Sequence, residues 1–490
     1  MLFPTPSFAF FFVCVFICFW YIFRRNIERR ILLIIASYLF YAFWDWRFCV
    51  LLLFSTGVNY GFGLLVGNNR EHLQRKIFLI LSVIFNLLFL GFFKYYNFFA
   101  ESANGLIKYI VANSAGKGDP LLTAAYSGFL FPALRVILPV GISFYTFKAM
   151  SYVFDIYLCK MIPVRSFIDV MLYISFFPQL ASGPIVHAAD FFPQIGPAAD
   201  AGQEAGSRPI AFDRATVLIV SGLLKKMVFA NFLSTLLVNP VFSDPGNYHS
   251  LEVLLAAVGY SVVIYCDFSG YSDMAIGLAL LLGFQTPANF DRPYISFSVT
   301  EFWKRWHITF SSWLRDYLYF SMGGSRFGLA RTLVALFFTM ILGGLWHGAS
   351  VVFIVWGAMQ GLALAIERGF NYGNKRSSKL YIAILQTVGT FLFITLSWIV
   401  FRSDTLSDVG KFICAMGNFK PQITLITPFV LVLIVLGLLM HAIPQKFRDT
   451  CFDFYQHIPL PLKGVLIALF FVLLSVVAMS GIAPFIYFQF

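Results

Sequence analysis

Thr332–Ile366 reads TLVALFFTMILGGLWHGASVVFIVWGAMQGLALAI, thirty-five residues without one Asp, Glu, Lys or Arg. Two apolar runs, 331–346 and 349–366, meet in it at His347. Each approaches the roughly 20 residues that carry a helix across a bilayer. The same pattern extends outward in both directions. The chain is 59% hydrophobic and 12% charged, with a mean hydropathy of +0.79, where a soluble domain carries about 25% charge. Lipid is therefore the solvent for most of it, and helices are the spanning element that lipid permits here.

Further spanning candidates are 4–23, 31–45, 48–67, 77–98, 136–158, 215–238, 251–283, 380–401, 422–442 and 464–488. The expected fold is all-α and polytopic, with about eleven or twelve transmembrane helices in one membrane domain over 1–490. The run 4–23 lacks a preceding basic residue and a small-residue cleavage site, so it is expected as a retained helix rather than a signal peptide. LYISFFPQLASGPIV (172–186) is apolar but broken by Pro178 and Pro184, which predicts a re-entrant segment enclosed by protein. Residues 187–214, rich in Ala, Gly and Pro, are the linker candidate.

Charge orients this map. Loops 24–30, 68–76, 159–166, 187–214, 284–331, 367–379 and 443–463 carry 24 Lys and Arg, and 46–47, 99–135, 239–250 and 402–421 carry 7. The first set is cytoplasmic by the positive-inside rule. The net charge of +12 is thus spread over short loops, not gathered into a nucleic-acid groove. Seven Cys without a CxxC pair point to neither a disulfide framework nor a metal site.

Two regions hold polar residues that loops do not explain. YCDFSGYSDMAIG (265–277) puts Asp267 and Asp273 inside an apolar run. A carboxylate there faces a cavity or a partner, unless the helix end merely dips into the interface. NFDRPYISFSVTEFWKRWHITFSSWLRDYLYFSMGGSRFGLAR (289–331) places Trp303, Trp306, Phe310 and Trp313 at helical spacing. It predicts an amphipathic, half-buried helix at the cytoplasmic interface, ended by Gly323–Gly324. His307 lies within it and His347 forty residues on. A buried His in a soluble core is most often a hydrogen-bonded structural residue, but at membrane depth the cost of a polar group points to function. Imidazole is also the natural base for taking a proton from a hydroxyl. No GxSxG, P-loop, GxGxxG or HExxH competes.

These stretches, with LPVGISFYTFKAMSYVFDIY (138–157) and LGGLWHGASVVFIVWGAMQG (342–361), resemble the membrane-bound O-acyltransferase family, in its bacterial branch of alginate O-acetyltransferases; the likeness covers about 138–368. The resemblance implies helices ringing a pore-like centre with a funnel from each side. It implies His347 and His307 as the family's two membrane histidines, and passage of an acyl group from a cytoplasmic donor to a hydroxyl across the membrane. The GGSR run at 323–326 resembles the polysaccharide-acetylating branch, while Gln360 departs from the His often found there.

The expectation is acetyl transfer in a bacterial inner membrane, from acetyl-CoA as substrate and with no bound cofactor or metal. The final acceptor would be an exopolysaccharide such as alginate or cellulose, or peptidoglycan, reached with a periplasmic relay protein. His347 would deprotonate the acceptor hydroxyl or orient it, and His307 would polarise the thioester carbonyl or hold His347. Trp303, Lys304, Arg305, Arg315, Asp316, Asn289 and Asp267 are the candidates for holding donor or substrate, since fixed cations suit phosphate. The rivals are D-alanyl transfer to teichoic acid and a polysaccharide or lipid transporter.

Overall fold

The computed structural model describes residues 2–114, 131–132, 134, 137–195, 210–372 and 376–477. Its regular structure is helical, with no strand among the described residues. In chain order the main helices are α1 (Pro6–Ile22), α2 (Asn26–Asp45), α3 (Arg47–Asn68), α4 (His72–Ile110), α5 (Ile142–Tyr157), α6 (Phe167–Ser175), α7 (Phe212–Ser243) and α8 (Ser250–Leu281). They continue with α9 (Val299–Arg305), α10 (Ile308–Trp313), α11 (Leu329–His347), α12 (Val351–Gly369), α13 (Leu380–Arg402), α14 (Leu406–Ala415), α15 (Pro428–Leu439), α16 (Gln445–His457) and α17 (Leu460–Ser475).

Among the described residues seven helices are long and apolar enough to cross a bilayer: α3, α4, α7, α8, α11, α12 and α13. The α16–α17 pair, bent by 117°, would make an eighth, and α1 and α15 are shorter apolar helices. Two expected spans differ in kind. Asn26–Asp45 carries Glu28, Arg29 and Arg30 in its first turns. Ile142–Tyr157 has 16 residues, and Ile142–Val153 is buried without interruption, so protein rather than lipid surrounds it. The linker candidate falls largely on 196–209, outside the described residues, as does 478–488 of the last expected span.

The Pro-broken segment is enclosed: after α6 the chain forms a short turn of helix at Phe177–Leu180, and 172–186 is buried throughout. Bonds between loops respect the charge map. Arg30 pairs with Asp169 at 3.2 Å, Arg75 donates to the Ile156 and Tyr157 carbonyls, and Lys463 pairs with Asp213 at 2.8 Å, all at the cationic end. At the other end Arg402 donates to Asn239 and Asn418 to the Gly246 carbonyl.

Helices α11 and α12 form a tight antiparallel hairpin whose tip is residues 348–350. Glycine permits the approach: a Cβ on Gly344 would lie 2.3 Å from the Phe353 carbonyl oxygen, and one on Gly357 2.4 Å from that of Met340. A hydrogen-bonded helix needs no lipid-exposed breaks, so the hairpin's one irregular stretch, at its tip, is where the chain gives up regularity.

Candidate active site

The amphipathic helix expected within 289–331 is broken. Ser298 Oγ accepts from Glu301 N–H, and the Glu367 carboxylate accepts from Val299 N–H (2.7 Å), Thr300 N–H (2.8 Å) and the Thr300 hydroxyl (2.7 Å). These acceptors satisfy the first-turn donors of α9 and suit its dipole. The helix stops at Trp306, whose ψ is 129°, and His307 has φ +43°, a left-handed conformation that costs a non-glycine residue on the order of 1 kcal/mol. Chain direction changes there, and α10 starts at Ile308.

The break divides the aromatic face. Trp303 donates to Gln360 Oε1 on α12 and lies 5.9 Å from Trp356, whereas Trp313 stacks on Phe147 of α5 at 3.8 Å and donates to Ser151. Trp303, Trp306, Phe310 and Trp313 are all buried while Lys304 is exposed, so the segment is half-buried as expected but forms a broken elbow rather than one helix. The periodicity was real within each short helix, but it carried no mark of the turn at His307.

Asn289 fixes the tip of this elbow. Its backbone carbonyl accepts from Ile308 N–H at 2.9 Å, and its side-chain Oδ1 accepts from Thr309 N–H and the Thr309 hydroxyl. Because a backbone N–H only donates, the Asn289 atom it meets is the oxygen. His307 Nδ1, 3.1 Å from that same oxygen, therefore carries a hydrogen in the neutral ring, and Nε2 carries the lone pair. Asn289 Nδ2 in turn donates to Ser272 Oγ of α8. The side chain of Asn289 is thus engaged within the protein, by His307, Thr309 and Ser272.

His347 ends α11, at the tip of the opposing hairpin, 3% exposed. Its ring centroid lies 5.4 Å from Phe310, 5.3 Å from Trp356 and 5.3 Å from Phe401. Phe310 also stacks at 4.9 Å on His307, so one phenyl ring stands between the two histidines. Two side chains that sequence reasoning passed over hold the end of α11: Lys94 Nζ donates to the Trp346 (2.7 Å) and His347 (2.9 Å) carbonyls, and the Tyr95 hydroxyl donates to that of Leu345 (2.7 Å).

Cavities approach from both ends. A pocket of about 80 Å³ is lined by His347, Trp346, Lys94, Ser143 and the 138–141 turn. Gly141 in that turn has φ +73°, and a Cβ there would sit 2.5 Å from the Leu180 carbonyl oxygen. At the cationic end a pocket of about 370 Å³ is lined by Arg315, Arg368, Tyr319, Ser325, Trp303 and Met340.

The remaining candidates separate. Arg315 lines the larger pocket with its guanidinium 2.7 Å from Asp316. Lys304 is exposed. Arg305 is tied to Glu301 (2.8 Å) and Asp291 (3.1 Å), bracing the elbow. Asp267 sits within α8 and is ion-paired with Lys226, as Asp273 is with Lys225 at 2.6 Å; α8 runs on past both, so neither marks a helix end in the interface.

Asn289→Ala should lower turnover by roughly 10- to 100-fold, the scale for losing a partner that orients a reactive side chain. A variant with wild-type turnover and only a lower melting temperature would make Asn289 a purely structural bond.

The profile of the membrane-bound O-acyltransferase family matches residues 160–403. The chain is 38% identical over 428 residues to a probable alginate O-acetylase of Pseudomonas syringae pv. tomato, covering 86% of this chain and 76% of that one. To the probable alginate O-acetylase of Pseudomonas putida it is 36% identical over 469 residues, 92% and 89% of the two chains. To the peptidoglycan O-acetyltransferase of Helicobacter pylori it is 32% identical over 449 residues, 85% and 80%. With its helical membrane fold, its two opposed histidine tips and these relatives, the chain belongs to the membrane-bound O-acyltransferase family and is an O-acyltransferase.

Proposed function

We propose that this multi-pass protein of the bacterial inner membrane takes an acetyl group from acetyl-CoA at its cationic end. It would pass that group to a hydroxyl presented at the other, for O-acetylation of an extracytoplasmic polysaccharide. The observation that supports this reading best is a pair of cavities at opposite ends of the α11–α12 hairpin, the smaller lined by His347 and the larger, cationic one ending at Trp303. Trp303, at the inner wall of the cationic pocket, is one ring from Trp356, which packs on His347. A narrow thioester arm fits between these packed rings better than a folded sugar does.

The two histidines divide the chemistry in this reading. His347 takes the proton of the acceptor hydroxyl, the oxygen bonds to the thioester carbonyl carbon, the C–S bond breaks, and the thiolate leaves with the proton returned from the imidazolium. His307, with its lone pair on Nε2, accepts a hydrogen bond in this scheme. To polarise the carbonyl it would first have to gain a proton. A polysaccharide is too large for the outer cavity, so a small hydroxyl on a periplasmic relay protein, or one sugar unit, is the immediate acceptor. Alginate-like or cellulose-like polymers come ahead of peptidoglycan; the relatives' names mention alginate and peptidoglycan.

The test is purified protein with labelled acetyl-CoA and its periplasmic partners. Release of free CoA with label in an ester is the expected result. If acetyl-CoA is never consumed, acetyl transfer fails; consumption of a D-alanyl carrier instead would give the reaction to teichoic acid, and substrate movement without thioester loss would favour the transporter. The donor site has its own test. Arg315→Glu should raise the acetyl-CoA KM by roughly 10-fold or more, the scale of one charge-assisted contact, with kcat little changed. Arg305→Glu should instead lower the yield of folded protein, because it sets three carboxylates against each other at the elbow. An unchanged donor KM in Arg315→Glu removes the cationic pocket from donor binding.

A further inference from the structure

Lys94 is the only charged residue between Lys76 and Glu101, a lone cation in an otherwise uncharged stretch of α4. A cation at that depth is costly and is seldom kept without a task. Its two bonded acceptors, the Trp346 and His347 carbonyls, use two of the three donors of an ammonium group. Among the described residues no carboxylate lies within ion-pair distance of it. Capping the end of α11 does not by itself require a lysine, since the neutral Tyr95 hydroxyl does the same for Leu345 one residue back. What Lys94 has and Tyr95 lacks is a place in the wall of the His347 cavity.

Resting on the acetyl-transfer reading above, we infer that Lys94 is a catalytic residue whose third N–H faces the oxygen that becomes negative during transfer. As His347 removes the hydroxyl proton and the new C–O bond forms, the thioester carbonyl oxygen takes up the electron pair. It holds that pair until the C–S bond breaks and the thiolate departs. An ammonium group already anchored by two carbonyls needs no rearrangement to stabilise that charge, and such pre-set donors are worth most in a site that excludes water. The same anchoring fixes His347 relative to the cation, because one of the two carbonyls is its own.

The experiment compares Lys94→Met, Lys94→Gln, Lys94→Arg and Tyr95→Phe in the full-length protein, with labelled acetyl-CoA and the periplasmic partners. Loss of one donor to a developing oxyanion lowers kcat by roughly 100- to 1,000-fold. Lys94→Met should show a loss of that order with the acetyl-CoA KM within about threefold of wild type. Lys94→Gln can still donate to the helix carbonyls but carries no charge. It should fold and lose kcat comparably, which keeps the test open if the Met variant is unstable. Lys94→Arg should recover at least about a tenth of wild-type kcat, and Tyr95→Phe should stay within about threefold. Lys94→Gln at wild-type kcat, or Tyr95→Phe falling as far as the Lys94 variants, would overturn the assignment and leave Lys94 a helix cap. A wild-type protein that consumes no acetyl-CoA overturns the acetyl reading itself, an outcome distinct from active wild type with active Lys94 variants.

Discussion

His347→Ala should leave a protein that inserts and purifies like the wild type and shows no measurable acetylation, a loss of roughly 10²- to 10⁴-fold for removal of a general base. The backbone argument supports normal folding. Both bonds from Lys94 to this end of α11, and the one from Tyr95, are made to carbonyls and survive the substitution. What is lost is a ring packed among Phe310, Trp346, Trp356 and Phe401. A cavity among aromatics has its own cost, so His347→Gln, closer in volume and still polar, is the companion variant. If both fold and both are inactive, the loss is chemical. A well-folded His347→Ala protein within about tenfold of wild-type kcat would take this residue out of the mechanism.

The two histidines stand out in the sequence because a polar residue is conspicuous wherever lipid is the solvent. The same rule, applied evenly, would have found Lys94. It stood at the end of an apolar run whose other residues drew no notice, and a lysine near a helix end is ordinarily taken for a snorkelling anchor. The break at His307 was not legible. Trp303, Trp306, Phe310 and Trp313 keep helical spacing across it, and a positive φ at a histidine leaves no trace in composition. Asn289 stood out as a polar candidate, but its bonds to His307 and Thr309 were not readable from the sequence. Eighteen residues separate it from His307 in the chain, and their joining depends on the pairing of 289–291 with 305–308, a non-local contact. The setting of one expected span was hidden for a related reason. Hydropathy alone does not distinguish lipid from protein as the surroundings, and α5 is apolar because it is encased.

Asp267 is where a functional and a structural reading of one intramembrane carboxylate part, and Lys226→Met separates them. Lys226 on α7 and Asp267 on α8 are each 6% exposed at the side chain, and their ion pair ties the two helices together. Forming such a pair gains little net stability, because both ions give up hydration. Breaking one from a single side is far more costly, about 3–5 kcal/mol. Lys226→Met should therefore yield far less folded protein, seen as a collapsed gel-filtration peak or a lower melting temperature. Lys225→Met should cost less, because that pair is 17% and 20% exposed and its carboxylate keeps some access to solvent. Combining Lys226→Met with Asp267→Leu removes both charges and fills the space with apolar groups, so folding should return to near the wild-type level. That double variant then answers the question the sequence posed. If Asp267 serves only the α7–α8 contact, the refolded protein should acetylate at a rate within a few-fold of wild type. If it folds and is inactive, Asp267 belongs to the donor or acceptor site, and the ion pair with Lys226 is how that site is held rather than why the carboxylate is there.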